Sequence, residues 1–170
     1  MTYRLTTTNC SLAMLPALLA ALLFQACGGG GDAGAQAVAD TADPVEGVWE
    51  SAVTIRDCAS GATLRAFKGL SVLHRGGTAS ATNSNPPASN GPAFGTWRAT
   101  GAPSAYTAAI RFYRFNPDGS FAGAQNLNRS LTLAADRNSM SGTIAAQLLD
   151  PAGNVVGAPI CGVETAARVG

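Results

Sequence analysis

The feature that most constrains this chain is a succession of eight strand-like segments between residues 46 and 170, separated by turn-forming residues. The first segment reads EGVWESAVTIRD, and Trp49, Ser51, Val53 and Ile55 occupy alternate positions in it. A period of two is typical of a strand with one buried face. The turn sequences NPDGS and DPAGN separate later segments, and an Asp-Gly pair favours a hairpin. The pattern predicts an all-β fold.

The other seven strands are predicted within residues 63–75, 76–83, 94–101, 104–116, 121–136, 140–150 and 155–169. An eight-stranded antiparallel meander is best closed as an up-and-down barrel, because closure removes the exposed edges. A β-sandwich is the alternative. Gly69 and Pro159 are each expected at a bend, bulge or edge. The loop at about 82–95 is the expected mobile element, which would gate the mouth of a hollow barrel.

The low charge of the chain argues against one class of partner. The net charge is +1, and only 12% of residues are charged. Arg4 is the only charged residue within residues 1–26, and the remaining sequence has 10 basic and 10 acidic residues. Nucleic-acid-binding proteins usually carry a clustered basic face, so no nucleic-acid partner is expected.

Residues 1–26 have the pattern of a signal peptide. The apolar run LAMLPALLAALLF covers residues 12–24, which is shorter than the roughly 20 residues that a membrane-spanning helix needs. A short apolar run after a polar segment with one arginine instead suits a signal peptide that is removed on export. The folded body would then be a single domain over residues 46–170.

Cys27 follows the apolar run, and its context resembles the lipobox of bacterial lipoproteins. In that family a peptidase cuts before a cysteine that receives diacylglycerol, with fatty acids such as palmitate. Ala26 fits the family pattern, whereas Phe24 and Gln25 depart from it. The resemblance implies a lipid-anchored protein of the cell envelope, with residues 27–45 as the lipidated cysteine and a flexible linker.

The residue after Cys27 is glycine, which in a Gram-negative host resembles an outer-membrane address, with the domain facing the periplasm. The alternative is a soluble periplasmic or secreted protein. Its precursor would be cut after Ala37, where Ala35–Ala37 forms a small-x-small site.

Two of the four cysteines remain for the folded body. Cys10 lies in the signal peptide and Cys27 would carry the lipid, which leaves Cys58 and Cys161. In an oxidising compartment such a pair indicates a disulfide. It would stabilise the fold by about 4–5 kcal/mol in the chain-entropy model and would require the first and last strands to be neighbours. A metal site is the weaker alternative, because the chain has one histidine and no C-x-x-C pair.

The residues Gly47–Trp49, GVW, are similar to the G-x-W motif that opens the first strand of lipocalins and related calycins. In that family the tryptophan plugs the closed end of the barrel, and an arginine beyond the last strand packs across its ring. The resemblance implies that Gly47, Trp49 and Arg168 close the barrel. The family's second signature, Thr-Asp-Tyr, is absent, since the corresponding loop reads ADRNSM. The chain therefore resembles a small bacterial lipoprotein of unknown function with a lipocalin-like barrel.

The sequence assembles no convincing catalyst, and we do not expect an enzyme. It lacks a GxSxG elbow and a phosphate-binding loop, and no cofactor is implied. His74 is the only histidine. Glu50 and Glu164 could form a carboxylate pair across neighbouring strand ends. Solvated strand faces or ion pairs with arginines are the simpler interpretation.

The candidate ligand-binding residues are Arg111, Arg114, Arg129, Trp97 and Phe112, in the predicted fourth to sixth strands. Arg111 and Arg114 have opposite parity, so a barrel places one inward and one outward. An inward arginine in an apolar cavity would pair with a ligand carboxylate, because it stays protonated. The hypothesis is an envelope-anchored binding module for a small hydrophobic or amphiphilic ligand. The alternative is a structural or interaction lipoprotein with a filled barrel, since eight strands allow either; a barrel enzyme comes third.

Overall fold

Residues 41–170 are described by a computed structural model, and they form a closed barrel of eight antiparallel strands. The predicted signal peptide, Cys27, the Ala37 cleavage site and most of the linker lie outside the described residues. The strands are β1 (Gly47–Arg56), β2 (Thr63–Leu73), β3 (Thr78–Asn83), β4 (Ala93–Ala99), β5 (Ala105–Phe115), β6 (Phe121–Leu133), β7 (Ser139–Leu149) and β8 (Val155–Arg168). The short 3-10 helix Pro87–Ser89 lies between β3 and β4. No helix in this part of the chain is long and apolar enough to cross a membrane.

Each strand pairs with the next one along the chain, and β8 pairs with β1 to close the barrel. Trp49 lies opposite Arg168 at one end of the β1–β8 pair, and Arg56 lies opposite Cys161 at the other. This up-and-down order confirms the predicted barrel and excludes the β-sandwich alternative. It is consistent with a lipocalin-like fold.

The two ends of the barrel differ in the connections they contain and in how their interiors are packed. We call the end that holds Trp49 and Arg168 the closed end; the β2–β3, β4–β5 and β6–β7 turns lie there. The opposite end, with the β1–β2, β3–β4, β5–β6 and β7–β8 connections, is the open end. A large apolar cluster around Trp49, Leu73, Leu131 and Met140 fills the closed end.

A smaller cluster of Val53, Ile55 and Ile144 lies nearer the open end, with Phe67 and Ile160 packed against it. The period-two pattern read in β1 is confirmed, because its alternate residues from Trp49 to Ile55 are buried. Burial of alternate residues on every strand is what gives the barrel an inside and an outside.

The two predicted irregularities have different outcomes. The register of β7 against β8 shifts between Ala146 and Leu148, opposite the segment of β8 that holds Pro159. The expected bulge or edge at this proline is therefore confirmed. Gly69 continues the regular β1–β2 ladder opposite Ser51, so the bend or bulge predicted there is wrong.

Cys58 and Cys161 form a disulfide, with their Cα atoms 5.2 Å apart. Cys58 lies in the turn after β1, and Cys161 lies in β8, so the bond joins the first and last strands near the open end. Both the pairing and the predicted adjacency of these strands are confirmed. The loop that the bond closes spans 103 residues of sequence, which is close to the whole barrel.

Candidate functional site

The closed end is sealed around Trp49, which is fully buried. Its indole Nε1 donates a hydrogen bond to the Val45 carbonyl oxygen at 2.9 Å. The Arg168 guanidinium carbon lies 4.3 Å from the ring centroid, in the arrangement that the lipocalin resemblance implies. Gly47 has a φ of +134°, and a Cβ there would lie 2.5 Å from Arg168 Nη1. A glycine at this position therefore lets the arginine reach the tryptophan.

Arg168 also ties the chain termini of the barrel together. It donates hydrogen bonds to the carbonyl oxygens of Pro44 at 2.6 Å, Glu46 at 2.6 Å and Arg137 at 3.0 Å. Tyr106 is buried at the same end, where burial and then the Asp43 carboxylate raise its pKa to about 12. The buried polar groups of this end are satisfied and its apolar groups are packed, so its interior is filled.

The open end instead contains a cavity of about 320 Å³. Its walls come from strands on opposite sides of the barrel and combine apolar with polar side chains. The apolar wall residues include Val53, Ile55, Phe67, Ile110, Phe112, Phe115, Leu127, Ile144, Ala146 and Ile160. The volume is near the lower limit of small-molecule sites, about 300–1,000 Å³. Small-molecule sites are lined mainly by apolar side chains with a few polar groups, and this cavity has a larger polar share, with Arg65, Asn83, Asn85, Asn90, Arg114, Gln125, Arg129 and Glu164 in its lining.

A buried ion pair forms the polar floor of the cavity. Arg129 Nε and Nη2 donate to the two carboxylate oxygens of Glu164 at 2.7 and 2.6 Å, and both side chains are almost fully buried. Arg129 Nη1 also lies 3.4 Å from the Ser71 hydroxyl. The pair is bidentate, which is the strongest geometry for this interaction. The charge of Arg129 is therefore balanced within the protein.

Gln125 is a second polar group on the cavity wall, and it is only 9% exposed. Its side-chain amide has no hydrogen-bond partner among residues 41–170. Every fully enclosed side-chain N or O atom in residues 41–170 has a hydrogen-bond partner. Since the Gln125 amide has none, its oxygen and nitrogen each keep a small accessible surface. A buried amide without a protein partner favours a ligand or water that completes its hydrogen bonds.

Two arginines lie at the mouth. The Arg65 guanidinium carbon is 5.4 Å from the Phe67 ring centroid. Arg114 is half-buried and makes no hydrogen bond or ion pair through its side chain within the described residues. Its backbone pairs with Asn90 of the β3–β4 loop, which therefore lies across this side of the mouth.

Three of the five predicted ligand-binding residues line the cavity: Phe112, Arg114 and Arg129. Arg111 points outward and is exposed, as the opposite parity of Arg111 and Arg114 predicts. Trp97 lies in the core of the closed end, away from the cavity, because its Nε1 donates to the His74 carbonyl oxygen at 2.8 Å. Packing against Tyr106 also holds this ring in place.

The carboxylates considered from sequence are separated by the barrel wall. Glu50 is on the outside and pairs with Lys68 at 2.7 Å, whereas Glu164 is inside with Arg129. Glu50 and Glu164 therefore each form an ion pair with a basic residue and do not form a carboxylate pair with each other. His74 is exposed near the closed end, and its Nε2 lies 2.9 Å from the Ser80 hydroxyl.

The sequence pattern did not single out Gln125, Arg65 or the inward position of Glu164. Gln125 shares its parity with Arg129 on β6, so an assignment of the inward face of that strand would have found it. Arg65 shares its parity with Phe67 on β2 in the same way. The signal was therefore present in the strand period, but the period alone does not show which face of a strand turns inward.

Comparisons with known proteins add no family to this geometry. The chain matches no protein-family model, and a search of curated proteins finds no significantly similar sequence. Within residues 41–170, no group of three or more His, Cys, Asp or Glu residues could hold a metal ion. What these residues define is an eight-stranded up-and-down barrel that is packed at one end and hollow at the other.

Proposed function

We propose that this protein is a binding module for a small hydrophobic or amphiphilic ligand, held in the open-end cavity. The observation that carries the proposal is the cavity of about 320 Å³, whose lining combines apolar side chains with two polar ones, Arg114 and Gln125, that have no hydrogen-bond partner among residues 41–170. A barrel whose only task is to be rigid gains stability from filling such a space, since a void forfeits packing contacts. The fold is compatible with this function.

The apolar part of the walls supplies only part of the free energy of binding. Covering about 150 Å² of apolar ligand surface would contribute roughly 4 kcal/mol at about 25 cal/mol per Å². This is an upper figure, because association costs translational and rotational freedom. The proposal therefore predicts an affinity no better than about millimolar from the walls alone, which polar contacts would increase.

We also propose that the module is anchored to the bacterial envelope through a lipid on Cys27, with a flexible linker up to residue 45. The support is the apolar run at residues 12–24, followed by Cys27 and four glycines. The proposed location is the outer membrane, facing the periplasm. Release as a soluble periplasmic or secreted protein remains the alternative.

One surface feature favours a second function, an interaction protein. Tyr113 and Phe121 are 58% and 45% exposed on the outside of the barrel, and their rings meet edge to face at 5.5 Å. Exposed aromatic pairs of this kind can anchor a protein partner. The hollow open end makes ligand binding the first candidate.

Ligand binding is tested by native mass spectrometry of the full chain purified without denaturation, followed by extraction under denaturing conditions. We expect a small amphiphile that is lost on unfolding. The variant Ala146→Phe places a ring in the cavity, whereas Ala145→Phe places the same ring on the exposed face of β7. A ligand that survives Ala146→Phe, or an apo mass for the unsubstituted chain, would contradict the proposal.

Anchoring is tested separately by labelling cells with radioactive palmitate. Cys27→Ser is expected to abolish the label and to move the protein from the membrane fraction to the soluble fraction. Cys10→Ser is the matched control, because Cys10 lies in the predicted signal peptide. Label retained in Cys27→Ser would exclude this site.

A further inference from the structure

We propose that the cavity selects ligands with one anionic head group, which Arg114 and Gln125 bind at the mouth while the apolar part extends inward. The inference rests on the proposed binding function and specifies its substrate class: medium-chain or aromatic acids. Positive charge is available at the mouth of the cavity, whereas at its floor it is already neutralised.

The floor of the cavity does not suit an anion. Arg129 is the deepest cation, but both Glu164 oxygens accept its hydrogen bonds at 2.7 and 2.6 Å. A ligand carboxylate placed there would compete with Glu164 and would leave a buried charge without a partner. That outcome is strongly unfavourable in a buried site. The inward arginine expected to bind a carboxylate is thus not Arg129.

The mouth suits an anion better. Arg114 lines the cavity and is half-buried, and no carboxylate within the described residues forms an ion pair with it. A guanidinium offers two parallel N–H donors that match a carboxylate. Arg65 adds a second positive charge on the opposite wall, beside the Phe67 ring. Two guanidinium groups therefore line the mouth where a head group would lie, whereas Asp57, Asp118 and Asp150 lie in the surrounding turns.

Gln125 lies next to Arg114 on the neighbouring strand. Arg114 is opposite Gly123 and Phe112 is opposite Gln125 in the β5–β6 ladder. Arg114 and Gln125 are therefore diagonal neighbours on the inner face, within reach for long side chains. The Gln125 amide is 9% exposed and has no partner in the described residues. Its NH₂ group can donate to the same head group that Arg114 binds.

The remaining space sets the size of the apolar part. The cavity of about 320 Å³ has room for a chain of about ten non-hydrogen atoms, each of which occupies at most roughly 30 Å³. Val53, Phe67, Ile144 and Ile160 line the walls that face such a ligand. Octanoate and 1-octanol are therefore suitable probes, since they share an apolar tail and differ in the charge of the head group.

The test is calorimetric titration of the purified, oxidised full chain with octanoate and with 1-octanol, both below aggregation. We expect octanoate to bind about tenfold more tightly, which is the contribution of a hydrogen bond to a charged group. Arg114→Gln and Gln125→Leu should each reduce this preference, with little change for octanol. Raising the salt concentration should weaken octanoate alone.

Arg111→Gln is the matched control, because it removes the same charge from the outer face of the same strand. Arg114 is partly exposed, so its substitution is not expected to affect folding, and circular dichroism checks this. If both probes bind equally and Ala146→Phe abolishes octanol binding, the anion preference is overturned and the binding function stands. An unchanged preference in Arg114→Gln would also overturn it. Failure of both probes to bind would overturn both proposals.

Discussion

The closed and open ends of this barrel are built from the same eight strands, yet they use polar residues in opposite ways. At the closed end, Arg168 donates to three carbonyl oxygens and lies over Trp49, and the interior is packed. At the open end, Arg114 and Gln125 line a cavity, and their side chains have no hydrogen-bond partner in the described part of the chain. At the end that stabilises the fold, the polar side chains have their hydrogen-bond partners within the protein. At the end available for binding, some polar side chains lack such partners.

The largest effect is expected at the closed end. Trp49→Ala should reduce the free energy of unfolding by about 3–5 kcal/mol, because the ring is fully buried. Phe112→Ala, in the cavity wall, should cost roughly half as much, since that ring already faces open space. Urea denaturation of both variants measures the contrast. Equal losses would show that the two ends are packed alike.

The next effect concerns the Arg129–Glu164 pair between the two ends. Glu164→Leu leaves the Arg129 charge buried and should cost about 3 kcal/mol or more. The double variant with Arg129→Met removes both charges and should recover most of that loss. Chemical denaturation of the three proteins completes the cycle. Additive losses in the double variant would mean that the two residues do not act as a pair.

A smaller and more local effect is expected from the disulfide at the open end. Cys58→Ser with Cys161→Ser should lower the free energy of unfolding by about 2–4 kcal/mol. Hydrogen exchange should accelerate first in the parts of β1 and β8 near the open end. Protection around Trp49 should persist, because the bond is remote from the closed end. Uniform acceleration through β1 would remove the distinction between the ends.

The smallest effect comes from aspartates in the turns at both ends. Hydrogen bonds from Ser60 lower the pKa of Asp57, those from Ser120 lower the pKa of Asp118, and the Asn138 backbone lowers that of Asp136. A lowered folded-state pKa adds stability above the unfolded value, about 3.9, and this stability is lost as pH falls through the folded-state value.

We therefore expect the urea midpoint to be flat above about pH 5 and to fall below about pH 4. Carboxylate NMR titration should place these three pKa values below those of peptides containing the same turns. Asp136 is at the closed end, and the other two are at the open end. Because each shift comes from hydrogen bonds within its own turn, the pKa shifts should be similar at both ends. Unshifted values would contradict the hydrogen bonds in the turns.

Much of the fold could be predicted from local pattern. The alternation in β1 and the Asp-Gly turn indicate strands and hairpins because each is a short-range preference. The Cys58–Cys161 pair added one long-range constraint, and it required neighbouring first and last strands. Gly69 was misjudged because a glycine in a strand can mark a bulge or simply leave space, and only its neighbours decide which.

The candidate site was less predictable. Parity separated Arg111 from Arg114, but it did not say which faced inward, nor that Glu164 would neutralise Arg129. Trp97 looked like a cavity residue, because an aromatic ring suits a ligand site and a core equally well. Its position depends on how far along the barrel axis β4 lies, which is a property of the register.

The sequence by itself determined the strand order, the turns, the disulfide partners and the residues available to close the barrel, because these depend on local pattern and on composition. The tertiary structure decided which end is hollow, that Arg129 is paired, and that Arg114 and Gln125 share the mouth. Those features arise from the stagger of eight strands around the barrel. Stagger brings together side chains from distant parts of the sequence, and no short-range signal encodes it.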